Sequence, residues 1–214
     1  MSTAGWRVTE LEPGLLVAES EGSPNQEPVH ARLRLQHAIG RDTPRHWYHV
    51  GRVVHAAHAL GIFQEQATLL LGNDLTGAAE LCELRGQGPA LQALIAAALA
   101  RLPAGRVIVE LPGLRDTAGQ SPFWQGLGRH FYGGDPHDAM ARHGPAWRGH
   151  VAALLPRQPL YTAFLPDAAQ AAIGLVAPEA AALQQALRAA GFQPSGHVCI
   201  DDGGQVLALE HRPS

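Results

Sequence analysis

The 214 residues carry a formal net charge of -3, with 46% hydrophobic and 16% charged side chains. That make-up suits one well-cored globular domain and argues against a disordered chain or a basic nucleic-acid binder. All 16 basic residues are arginine, which excludes a lysine Schiff base, conventional pyridoxal-phosphate chemistry and a Walker-type phosphate loop. No apolar run of about 18 residues occurs, and no apolar segment follows a basic start, so the chain is read as soluble and cytoplasmic. Cys82 and Cys199 are the only cysteines; they suit a reducing compartment and give no disulfide framework.

In chain order, Leu15–Glu19 is a short apolar strand, and Gly22-Ser23-Pro24-Asn25 supplies turn chemistry. Val29–Leu35 alternates apolar Val29, Ala31, Leu33 and Leu35 with polar neighbours, the period of a half-buried strand. Gly51–Ala57, Thr68–Leu71 and Ala79–Leu84 follow as strands, expected to form an antiparallel meander. Pro89 is placed to open a helix over Ala90–Leu102, and Arg106–Leu111 returns as a strand. Ser121-Pro122 and Asp135-Pro136 each pair an N-cap with a first-turn proline, predicting helices over Phe123–Phe131 and His137–Arg142. His150–Leu155 reads as a strand and Asp167–Val176 as a helix. Pro178–Ala190 is a second helix closed by Gly191, and Gly196–Ile200 with Val206–Glu210 forms a last strand pair. The expected architecture is one α+β domain around a largely antiparallel central sheet flanked by helices.

Within this order Arg85-Gly86-Gln87-Gly88-Pro89-Ala90 joins a strand to an alanine-rich helix. A strand, a glycine-rich loop and a helix N-terminus present backbone N–H groups to an anion. The spacing Arg-x-x-Gly-x-Ala is the short form that CoA-dependent N-acyltransferases use for a pyrophosphate. Alone it has low specificity.

The longer phrases are more specific. Trp47–Leu84 (WYHVGRVVHAAHALGIFQEQATLLLGNDLTGAAELCEL), Val107–Phe131 (VIVELPGLRDTAGQSPFWQGLGRHF) and His150–Phe192 together resemble the arginine N-succinyltransferase family, in the family's order. The resemblance implies a GNAT-type acyl-CoA N-acyltransferase fold. It also implies transfer of a succinyl group from succinyl-CoA to the α-amino group of arginine, the first step of ammonia-releasing arginine catabolism. Succinyl-CoA or another acyl-CoA is then the co-substrate, with no metal, and the partner is a small arginine-like amine. By the same resemblance Leu84 contacts succinyl-CoA, and Arg85, Gly86, Gly88 and Ala90 fall on the pyrophosphate loop. Asn73, Asp74, Glu80 and Glu110 are candidates for a cationic substrate, which calls for carboxylates in bidentate geometry. The alternative for these four is turn capping by Asn73 and Asp74 and solvated strand ends at Glu80 and Glu110.

Departures accompany the matches. The family's proton-donor histidine falls at Ala177, which transfers no proton. A Pro-Lys-His-Pro-like element reads Pro156-Arg157-Gln158-Pro159, and a Glu-Met-Arg-Gly element reads Glu110-Leu111-Pro112-Gly113. Leu84 runs straight into Arg85, shortening the segment before the loop, and the family's leading strand and helices are expected to be lacking. Glu83, beside Leu84, is the replacement base this reading selects. The histidine pairs His46/His49 and His55/His58 fall short of the three or four ligands of a zinc site. Cys82 has no base in its neighbourhood and reads as a buried strand cysteine, and Phe123 and Trp124 read as core anchors. Two functions stay open: a working N-acyltransferase with a rearranged proton path, and a degenerate non-catalytic partner of an intact acyltransferase. Oligomers remain open too, either of this chain alone or with a full-length homologue.

Overall fold

A computed structural model describes residues 5–20 and 31–213; the turn at Gly22-Ser23-Pro24-Asn25 and the start of the strand expected at Val29 lie outside the described residues. The N-terminal half supplies β1 (Trp6–Glu12), β2 (Leu15–Ser20), β3 (Ala31–Gln36), β4 (Trp47–Ala57), β5 (Ile62–Gly72) and β6 (Ala79–Arg85). Helix α1 (Gly88–Leu99) then leads to β7 (Gly105–Glu110). Four short helices follow around β8 (Leu160–Tyr161): α2 (Pro122–Gly126), α3 (Pro136–His143), α4 (Trp147–Ala152) and α5 (Asp167–Ala172). Helix α6 (Ala181–Ala189) and the strands β9 (Gln193–Cys199) and β10 (Gln205–His211) complete the described elements.

The strands form one sheet in the order β1-β2-β3-β6-β7-β10-β9-β4-β5-β8. Every adjacent pair is antiparallel except β6 and β7, which run parallel with α1 as their crossover. The expected α+β class with a largely antiparallel sheet therefore describes the molecule.

Alternation along the strands divides the core. Leu81, Val107, Val109 and Leu207 pack with α1 residues Ala90, Leu91, Leu94 and Ile95 and with Leu187 of α6. Ile108 and Val206 turn to the opposite face, where they meet Trp47, Leu75, Ile39 and Cys199. Glu80, the strand partner of Ile108, and Glu110, the partner of Val206, belong to that second face by the same period of two. A third cluster holds Phe123, Trp124, Trp147 and Tyr48, so the aromatic pair read as core anchors is core, with Phe123 at 0% and Trp124 at 1% exposure.

Two expectations are corrected. His150–Leu155 is not a strand: α4 covers its start, because Trp147, Val151 and Leu155 recur at helical spacing and all three are buried in one cluster. Nor do β4, β5 and β6 form a meander, since β6 pairs with β3 and β7 while β5 pairs with β4 and β8. The loop between β5 and β6 explains the jump. Buried Leu75 anchors it, Gly77 donates to the Ile39 carbonyl at 2.8 Å, and the Ala78 carbonyl accepts from the Ile39 amide at 2.9 Å. The chain is thus tied to the segment just after β3, which delivers β6 beside β3.

The expected caps hold. Ser121 Oγ accepts from the Trp124 amide at 3.2 Å and Asp135 Oδ1 from the His137 amide at 2.7 Å. Two of the expected helices come out shorter: after α2 the chain tightens into a 3-10 turn at Gly128–His130, and the helix expected through Val176 ends at Ala172, before Gly174 at φ +73°. Pro178–Ala180 is a 3-10 turn that precedes α6.

Candidate active site

The parallel pair is where the sheet opens. The β6–β7 ladder contains only Ala79↔Val107 and Glu80↔Ile108. Beyond those positions β6 runs on to Arg85 and β7 to Glu110 without pairing each other. A bulge on the other side of β6 adds to the divergence, because the register with β3 passes from Arg34↔Cys82 to Arg32↔Arg85. Glu83 sits at that bulge with φ +52°, a left-handed conformation costly for a residue with a Cβ.

The divergence leaves a cleft of about 480 Å³ walled by Cys82, Leu84, Arg85 and Gly86, with Pro112 and Leu183 opposite. Gly86, at φ +104°, and Gly88, at φ +60°, make the turn from strand to helix, so both positions call for glycine. Gln87 is the N-cap residue of α1 without a side-chain cap bond, and Pro89 lies in the first turn. The amides of Gly88 and Ala90 are first-turn donors outside the helical ladder. Ala90 itself is 0% exposed and packs in the core, so only its backbone is available to a ligand.

A second cleft of about 420 Å³ opens elsewhere, between the segment after β3 (His37, Ile39, Asp42) and Met140, Pro145 and Arg148. Three residues belong to both walls: Glu80, Cys82 and Glu110. The clefts therefore meet where the β6–β7 ladder ends.

A buried ion network fills that junction. Arg45 spans Glu80 with bonds of 2.5 and 3.0 Å and also donates to Glu110 Oε1. Glu110 further accepts from Trp47 Nε1 at 2.7 Å and from Arg148 Nη1 at 2.7 Å. Arg148 continues to Asp201 Oδ2 at 3.2 Å. Burial alone would raise Glu110, but Arg148 and Arg45 outweigh it and hold the carboxyl down at about 2. Glu80 goes the other way: burial first, then the like charge of Glu110, raise it despite Arg45. The two neighbouring carboxyls are thus driven in opposite directions, Glu110 down and Glu80 up. Next to Asp201, Asp202 accepts from the Gly113 and Gly204 amides, and burial with the Asp201 charge lifts it to about 7. Cys82 is held as a neutral thiol, pushed up to about 12 by burial.

Of the residues singled out from sequence, the fold brings Leu84, Arg85 and Gly86 to the first cleft and Glu80 and Glu110 to the junction. Glu83 also lines the first cleft, with its carboxylate bonded to Arg34 Nε at 2.9 Å. Asn73 and Asp74 line neither cleft. Asn73 closes its own turn by accepting from the Thr76 amide at 2.9 Å, while Asp74 Oδ2 lies 2.9 Å from His197 Nε2. Ala177 is 3% exposed, and its amide donates to the Pro112 carbonyl at 2.8 Å, behind the wall of the first cleft. Sequence reasoning missed Arg45 and Arg148. Neither stands in a recognisable motif, and their carboxylate partner Glu110 lies 65 and 38 residues away.

Comparison with known proteins supplies a frame for this geometry. A family model described as "Arginine N-succinyltransferase beta subunit" matches residues 15–212. The arginine N-succinyltransferase of Yersinia pestis (strain Pestoides F) is 36% identical over 212 residues, covering 92% of this chain and 60% of the relative. That of Shigella boydii serotype 4 (strain Sb227) is 36% identical over 184 residues, covering 81% of this chain and 54% of the relative. Among solved structures, the arginine/ornithine succinyltransferase subunit AI from Pseudomonas aeruginosa superposes with a TM-score of 0.69 at 27% identity, covering 94% of this chain and 62% of that one. The chain thus spans about three fifths of the length of the Yersinia relative.

Proposed function

The chain belongs to the arginine N-succinyltransferase family, and on that premise we propose that it is an acyl-CoA-dependent N-acyltransferase that moves a succinyl group from succinyl-CoA to the α-amino group of arginine. The observation that carries this reading is the opening of the β6–β7 pair, with two clefts that share Glu80, Cys82 and Glu110 at its apex. An acyl transfer between two bound molecules needs such an arrangement: a donor in one cleft, an acceptor in the other, and the reacting atoms at the junction.

The donor side follows from the backbone. An extended amide-bearing chain, such as the pantetheine arm of CoA, adds to a strand edge by main-chain hydrogen bonds, and β6 beyond Glu80 offers that edge toward β7. Leu84 gives the arm an apolar wall. The pyrophosphate then falls at Arg85-Gly86-Gln87, where the Arg85 side chain and the first-turn amides of α1 supply positive charge. The thioester carbonyl lies toward the bulge, and main-chain N–H groups there are the donors for the tetrahedral oxyanion.

The acceptor enters by the second cleft. Asp42 stands on its rim, and no cation is paired with it among the described residues, which leaves a carboxylate for the guanidinium. Glu83, the base selected from sequence, braces the bulge through Arg34.

The test is calorimetric titration of the purified chain with succinyl-CoA, followed by thiol release on addition of arginine. Saturable heat and arginine-dependent release are expected. Absence of both overturns the reading, and heat without release is the behaviour of a non-catalytic subunit.

A further inference from the structure

We propose that Glu80 is the group that takes the proton from the attacking amine and that Arg45 is its positioning residue, a step that rests on the N-acyltransferase reading above. Three features of the fold converge on Glu80. It is the last residue of β6 that still pairs with β7, so its side chain stands where the strands part. It is 4% exposed, yet it belongs to the walls of both clefts. And Arg45 grips it by both guanidinium nitrogens, fixing the plane of the carboxylate.

Charge counting singles out the same residue. The buried network sets three carboxylates, Glu80, Glu110 and Asp201, against two guanidinium groups, Arg45 and Arg148. One negative charge is in excess, in a place where water solvates it poorly. A proton on Glu80 relieves it, and so does the ammonium of an incoming amine. Glu110 is unsuited to the exchange: it is clamped by Arg45, Arg148 and Trp47, and its carboxyl is held low. The groups facing Glu80 are Glu110 from β7, Arg45 from the segment before β4, Arg148 from α4, and the neutral thiol of Cys82 on β6. With Glu110 fixed as an anion, Glu80 is the member of the pair whose proton is exchangeable.

The step balances. Glu80 accepts one proton from the ammonium, and the nitrogen lone pair attacks the thioester carbon. The C–N bond forms, the C–S bond breaks, and the second nitrogen proton ends on the departing thiolate. Products are the amide, the free thiol and one proton, which Glu80 returns to water through the open cleft.

The experiment is the pH profile of kcat/KM for arginine in wild type, Glu80→Gln, Glu80→Asp and Arg45→Lys, with succinyl-CoA binding measured for each. Wild type should show an acidic limb. Glu80→Gln should bind succinyl-CoA like wild type, lose that limb and fall about 10² to 10³-fold at neutral pH. Glu80→Asp should keep the limb at a lower rate. Arg45→Lys, which loses the two-pronged grip, should move the limb to higher pH. A limb unchanged in Glu80→Gln, or one that follows Glu83→Gln instead, overturns the proposal. So does a wild-type profile with no acidic limb, even if a variant fails to fold. Failure of wild type to bind succinyl-CoA or turn over would instead sink the underlying function.

Discussion

Two strand pairs of the same sheet behave in opposite ways. The β4–β5 hairpin keeps eleven cross-strand pairs without interruption, from Trp47↔Gly72 to Ala57↔Ile62. The β6–β7 pair keeps two and then separates. In the hairpin the backbone groups facing the partner strand are spent on the ladder, and the ion pair at its outer part, Arg52–Glu65, lies on the surface with side chains 66% and 44% exposed. At the separation, backbone groups face a cleft, and the charges are buried and tied to one another. A strand pair completed along its length supplies rigidity. One that is abandoned after two rungs leaves hydrogen-bonding capacity and charge for a ligand.

The sharpest way to break this contrast is to remove a charge on each side of it. Glu110→Ala takes from buried Arg45 and Arg148 the carboxylate they share and leaves Trp47 Nε1 without its acceptor, and is expected to cost about 3–5 kcal/mol in urea denaturation as well as all turnover. Its pH dependence carries a definite sign. Glu110 is held below its ordinary 4.5, at about 2, so its contribution is present above pH 4.5 and disappears as pH falls through about 2. Wild-type stability should decline across that window, and Glu110→Gln should decline less steeply.

A smaller effect is expected at the glycine turn between β6 and α1, where we propose that the pyrophosphate binds. Gly86→Ala places a Cβ at φ +104°, at a cost of about 1–2 kcal/mol. If that strain is relieved by reshaping the loop, succinyl-CoA affinity should fall by about tenfold, read by calorimetry. Unchanged affinity would separate the loop from the donor site. Smallest of all, Arg52→Ala in the hairpin should change stability by less than about 1 kcal/mol and leave kcat and KM as they are. A kinetic effect there would erase the distinction between the two strand pairs.

Much of the fold was legible because it is written locally. Alternation at Ala31, Leu33 and Leu35 marks β3, and the Ser121 and Asp135 caps mark α2 and α3. What was not legible is non-local. The run from His150 to Leu155 has too few polar residues for period two to be told from period 3.6, and its neighbour Trp147 decides for the helix. The place of β6 depends on backbone bonds between the loop before it and Ile39, which no pattern within β6 encodes. The wall of the first cleft was readable in Leu84-Arg85-Gly86, whereas the ion network was half visible. Its carboxylates were named, but their partners Arg45 and Arg148 acquire meaning only when folding brings them to Glu110.

Hydrogen exchange of the backbone with and without succinyl-CoA tests the central claim most directly, because the claim concerns which strand edge is open to a ligand. The account predicts added protection at Leu81–Arg85 and in the first turn of α1, with none at Val53–Ala57 of the hairpin. Protection that appears in the hairpin and not along β6 would contradict it.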